Sequence, residues 1–176
     1  MFVFDATPLI YLAKAERLSL LSRLDASRLI PQRVYEEVVT VGLDAGYPDA
    51  RRIEQSVEEG TFDVVSVPET TLFDRLSGNP NVSDADVAVL ALAADHGATA
   101  VMDDAYGRDI AAVEAIETRG TAYLVLSLVR DDELEADDAR ETLEAMLDAG
   151  WHCSPSLYSK LLSKLEELAV GGADNR

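Results

Sequence analysis

The chain has 176 residues, 48% of them hydrophobic, which suits one compact globular domain with a real core rather than a disordered chain. Its 33 Asp and Glu against 15 Lys and Arg give a formal charge of -18, which by itself argues against a polyanion-binding surface. The single cysteine, Cys153, excludes an internal disulfide and offers no thiolate metal cluster, and no apolar run reaches bilayer length.

Strand-like and helical patterns alternate along the chain. Residues 2–4 form an apolar strand that ends on Asp5, and a helix over 8–15 follows, with helical character continuing over 18–24. A short strand at 28–30 meets Pro31, which a helix start tolerates, and a helix spans 32–41. A Gly/Pro/Asp loop leads to a polar helix near 50–59 and a strand over 62–67. Residues 76–82, with Gly78, Asn79 and Pro80, read as a loop. A strong helix spans 83–96, a strand 99–102 and a short helix 108–113. Residues 115–118 suit either a last strand or an extension of that helix. Helices near 122–129, 136–149 and 155–168 complete the pattern.

Such alternation predicts an α/β fold with a mostly parallel central sheet flanked by helices. The expected organisation is a domain over 1–130, a helical extension over 131–170 packed on it, and a flexible tail over 171–176. Without a basic-then-apolar leader, a cytoplasmic protein away from membranes is expected. The scattered acids and scarce lysines (Lys14, Lys160 and Lys164) resemble a surface adapted to high salt, where screening shortens repulsion. Net charge therefore leaves the substrate open.

In open parallel sheets, sites form beyond the carboxyl ends of the strands. Asp5 falls there, and so do Asp103 and Asp104, at the end of TAVMDD. Glu36 and Glu37 lie in IPQRVYEEVV, and Asp84 and Asp86 open the helix SDADVAVLALAAD. Each has an ordinary explanation: Ser83 to Asp86 matches a capping box, Asp104 suits a helix cap, and Glu37 a solvated helix face. For Asp5, an acid amid Phe4, Pro8, Leu9 and Ile10 is hard to leave unpaired. Converging carboxylates repel by on the order of 4 kcal/mol per close pair at an effective dielectric of 20. No lysine lies between residues 15 and 159 to neutralise them. A divalent cation does so, and all-oxygen ligands select Mg²⁺ or Mn²⁺. Phosphodiester hydrolysis suits such a site.

These segments together resemble the PIN-domain nucleases, the fold of the toxin half of many prokaryotic VapC-type toxin–antitoxin pairs. FDATPLIYLAKAERLSLL is similar to the family's opening, with Asp5 and Thr7 carrying acid-x-Ser/Thr. IPQRVYEEVV resembles the segment of the second acid, Glu37 or Glu36. DADVAVLALAADHGA resembles the third motif, with Asp84 or Asp86, and VMDDAYGRDIA the fourth, with Asp104 beside Asp103. Gly120-Thr121 and WHCSPSLYSKLL resemble a subgroup with extra C-terminal helices. The resemblance implies a catalytic set of Asp5, Glu37, Asp84 and Asp104, with Asp5, Asp84, Asp103 and Asp104 on the metal. Thr7, Glu36 and Asp86 would support them, and Arg33 and Arg108 would meet RNA. It also implies a ribonuclease of a toxin–antitoxin pair, a small antitoxin partner and a homodimer. Two alternatives stay open: a haloacid-dehalogenase-type phosphatase and a catalytically inactive PIN-like binding module.

Overall fold

The computed structural model describes residues 1–173, with side-chain surroundings through residue 170. Five parallel strands form one sheet: β1 (Phe2–Phe4), β2 (Arg28–Pro31), β3 (Asp63–Val65), β4 (Thr99–Val101) and β5 (Thr118–Arg119), in the order β3-β2-β1-β4-β5. Val3 stands opposite Leu29 on one side and Ala100 on the other, so β1 is central. Its short run FVF has Val3 and Phe4 fully buried. Phe4 also stacks edge-on against Phe62, with ring centroids 5.3 Å apart. A strand buried on both faces must be apolar throughout, which FVF satisfies.

Helices cover the sheet. They are α1 (Ala6–Lys14), a 3₁₀ turn (Leu18–Arg23), α2 (Gln32–Tyr35), a π-helical stretch (Glu36–Val41), α3 (Gly42–Asp44), α4 (Pro48–Glu58), α5 (Thr71–Ser77), α6 (Asp84–His96), α7 (Ala105–Val113), α8 (Thr121–Arg130), α9 (Ala136–Asp148) and α10 (Pro155–Ala173). Helix α6 is buried nearly all round, from Val87 through Ala93, because it lies against β1, β2 and β4 on one side and α2 and α5 on others. Its four buried alanines, Ala85, Ala88, Ala91 and Ala93, let these neighbours approach closely. Ser83 starts it with a reciprocal capping box to Asp86, and Gly97 ends it in the left-handed conformation (φ 57°) that a side chain would strain.

Several boundaries differ from the sequence reading. The expected helical run over 18–24 is a tight 3₁₀ turn. The helix starting at residue 32 continues past Gly42 to Asp44, through a π-helical stretch that begins at Glu36. Helix α5 precedes the expected loop, initiated by the Thr70 side chain, which accepts from the Phe73 amide. The doubtful segment near 115 resolves into a turn and β5. Helices α8, α9 and α10 pack on one another, and α9 also meets α1. Of the tail expected over 171–176, residues 171–173 belong to the last turn of α10 and the rest lie outside the described residues.

Candidate active site

Strand order puts the site in one place. The chain runs from β1 outward through β2 to β3, then returns to β1's other side for β4 and β5. The direction of winding reverses between β1 and β4, the point at which open parallel sheets place their sites, beyond the carboxyl ends of the strands. Asp5 leaves β1 at that point, its amide donating to the Val101 carbonyl at 3.0 Å. Helix α6 runs back against β4, so its N-terminus, with Asp84 and Asp86, lies at the same edge. Asp103 and Asp104 follow β4, and α2 with its π-helical continuation follows β2.

Asp5 is the focus. It is 5% exposed and occupies the N-cap position of α1 without a side-chain capping bond. Its carboxyl is raised from the ordinary 3.8 to about 7, chiefly by burial; the Ala6 amide works against the rise, while Asp86, Glu37 and Asp103 contribute to it. Three acids from three elements therefore face the buried one. A carboxylate so placed is short of positive charge.

The other acids divide by their bonds. Glu36 accepts from the Gln32 amide at 3.2 Å along its own helix, leaving Glu37 as the residue of that pair that acts on Asp5. Asp86 takes the Ser83 hydroxyl (2.6 Å) and amide (3.2 Å) on Oδ2 and still acts on Asp5. Asp84, two residues earlier in the same turn, is exposed and is not among Asp5's electrostatic neighbours. Asp104 caps α7, accepting from the Gly107 amide at 2.6 Å, and is likewise not among them. Thr7 sits in the first turn of α1 directly after Asp5.

Asp103 is held by three donors. Its Oδ1 accepts from the Thr121 amide (2.8 Å), and its Oδ2 from the Thr121 hydroxyl (2.7 Å) and the Trp151 indole N–H (2.9 Å). Thr121 and Trp151 are buried. A Cβ at Gly120 would stand 2.9 Å from Asp103 Oδ1, so only glycine lets β5 turn into α8 at this distance. Sequence reasoning noted Gly120-Thr121 and the Trp151 segment without seeing that both orient Asp103. The available signal was the lone tryptophan, whose buried N–H requires an acceptor.

Arg33, in α2, and Arg108, in α7, are both exposed. Among the described residues they are the guanidinium groups with neither an ion pair nor a hydrogen bond; the others are held by Glu, Asp or backbone carbonyls. A Cβ at Gly120 would lie 3.8 Å from Arg108 Nη1, which places that guanidinium beside Asp103.

Among the described residues, no three acidic, histidine or cysteine side chains lie close enough together to cage an ion as they stand. Mg²⁺ does not require such a cage, since one or two carboxylates with waters completing an octahedron suffice. Asp5 with Asp86, Glu37 or Asp103 provides that number of hard oxygen donors, and the raised Asp5 pKa, owed first to burial and then to these acids, marks an ionised form that a cation would stabilise. The residues fit a divalent metal.

A parallel α/β sheet with a buried acid at its switch point, ringed by further acids, defines a carboxylate-centred site of the kind used in phosphoryl chemistry. The PIN-domain family model matches residues 1–167, and the chain belongs to that family. PIN domains are generally metal-dependent nucleases. No curated protein matches the sequence. Among the described residues, no helix is long and apolar enough to cross a membrane.

Proposed function

We propose that the protein is an Mg²⁺- or Mn²⁺-dependent endoribonuclease. The observation that carries this reading is Asp5, buried at the carboxyl edge of β1 and β4 and facing Asp86, Glu37 and Asp103 with no cation paired to it among the described residues. Asp5, together with Asp86 and Asp103, would hold the metal; Asp84 and Asp104 lie one step further out and support the helix starts. When bound, the ion supplies Lewis-acid charge at the phosphodiester and lowers the pKa of a water.

The protein's own groups divide the remaining work. Glu37, exposed at the start of the π-helical stretch, is placed to accept a proton from the attacking water. Thr121 and Trp151 keep Asp103 oriented. Arg33 and Arg108 meet RNA phosphates on either side of the site, where scarce positive charge is left unpaired. Residues 1–130 act as the nuclease unit and 131–170 as an extension packed on it. The VapC-like resemblance extends the reading to the cytoplasmic toxin of a type II pair, a homodimer neutralised by a small antitoxin protein.

The test is cleavage of single-stranded RNA. Internal cuts are expected with Mg²⁺ or Mn²⁺ and none with EDTA, while Asp5→Asn abolishes cutting and Asp137→Asn, in the distant acidic patch, leaves it unchanged. Full cutting in EDTA would overturn the proposal. The assay is run at high and low salt, since so acidic a chain repels itself when unscreened. An antitoxin reading frame beside the gene, whose product suppresses the cutting, tests the toxin role.

A further inference from the structure

A second cavity of about 260 Å³ adjoins the carboxylate site on the side away from β2. It lies between α8 and α10, with the Trp151 loop as its floor. Asp103, Arg108 and Gly120 form the end nearest that site, while Leu126, Leu157 and Leu161 form an apolar wall. Tyr123 and His152 complete it. Tyr123 is braced from behind by the Arg119 guanidinium, 4.8 Å from its ring centroid. Leu157 is 43% exposed, so the wall opens to solvent.

From this cavity we infer a nucleobase pocket for the RNA strand, built largely by the C-terminal extension. Three features coincide there. The lining combines aliphatic side chains with the rings of Tyr123, Trp151 and His152, the chemistry that takes up an unstacked base irrespective of its edge. The volume is below the 300–1,000 Å³ or so of pockets for drug-sized ligands, which suits a single heterocycle. At the end nearest Asp103 stands Arg108, a guanidinium free of any partner among the described residues. The phosphate on the bound nucleotide's ribose would meet Arg108, and the strand would continue past Asp103 toward the carboxylate site. The inference rests on the nuclease reading for its substrate class, and it adds where the strand is gripped and why the extension is present.

Trp151 is the only tryptophan of the chain, so its fluorescence reports the pocket floor without labelling. Titration with AMP, GMP, CMP and UMP, and with the four parent nucleosides, is performed in EDTA, so that binding is read without cleavage. Saturable quenching by at least one nucleotide is expected. Arg108→Ala should weaken the nucleotide about tenfold and leave the nucleoside unchanged, because only the phosphate contact is lost. Leu157→Glu, at an exposed position that leaves the fold intact, should weaken both. Absence of quenching by every nucleotide and nucleoside overturns the pocket even if the protein cleaves RNA. Quenching that neither variant alters also overturns it. Quenching with both expected losses supports it whether or not the metal-loaded protein cuts RNA, so failure of the nuclease reading remains separately visible.

Discussion

The carboxyl of Asp5 binds its proton far more tightly in the folded chain than in the unfolded one, and that difference has a direction. Its pKa rises from 3.8 to about 7 on folding, chiefly through burial. Below about pH 4 the group is protonated in both states and costs nothing. As pH rises toward 7 the unfolded chain ionises freely while the folded chain must ionise a buried acid, so stability is lost across that window. The loss amounts to about 4 kcal/mol when complete. Urea melts of the metal-free protein should therefore show Asp5→Asn gaining on the wild type between pH 4 and pH 7, by a few kcal/mol at pH 8. Equal pH slopes for the two proteins would show that Asp5 is not buried uncompensated. Trp151→Phe tests the opposite kind of contact. It leaves the half-buried Asp103 short of one donor, and a loss of roughly 1–3 kcal/mol is expected, read from the denaturation midpoint.

Helix α6 and its neighbours show what was legible in the sequence and what was not. SDADVAVLALAAD carries a capping box and an unbroken apolar run, and both appear as read, because a buried helix needs only those two signals. Strand β1 with Asp5 was equally plain. Helix α5 was not, since TLFDRLS is short, carries little periodicity and is fixed by one Thr70 bond. The π-helical stretch at Glu36 has no local sequence mark; it depends on how Val38 and Val39 pack. The choice between adjacent acids was illegible for the same reason. Our proposal favours Glu37 over Glu36 and Asp86 over Asp84 because those two act on Asp5, a matter of helix phase that tertiary packing sets. Removing the cap is informative here. Ser83→Ala should cost about 1 kcal/mol of stability and also free Asp86 Oδ2, so activity should fall more than in an equally destabilised core variant. Loss of stability alone would confine Ser83 to capping.

Across the whole molecule the core is continuous. Leu134, Leu143, Met146, Trp151, Leu161 and Leu165, all from the C-terminal region, belong to the same buried cluster as Val3, Phe4 and Leu90. A chain ending at residue 130 would expose α8 and leave Asp103 without Trp151, so it should lose its cooperative unfolding transition; a cooperative melt equal to the full chain's would make the extension dispensable. Charge acts at this same level. With a net charge of -18, added KCl should raise the melting temperature strongly, and a flat response would show that the acids do not repel across the surface.

The central claim is that Asp5 and its acidic neighbours hold a divalent cation. Isothermal titration of the metal-free protein with Mn²⁺ in high salt tests it most directly. One site per chain is expected for the wild type, weakened at least tenfold in Asp5→Asn and unchanged in Asp137→Asn. Wild-type affinity retained by Asp5→Asn would contradict it.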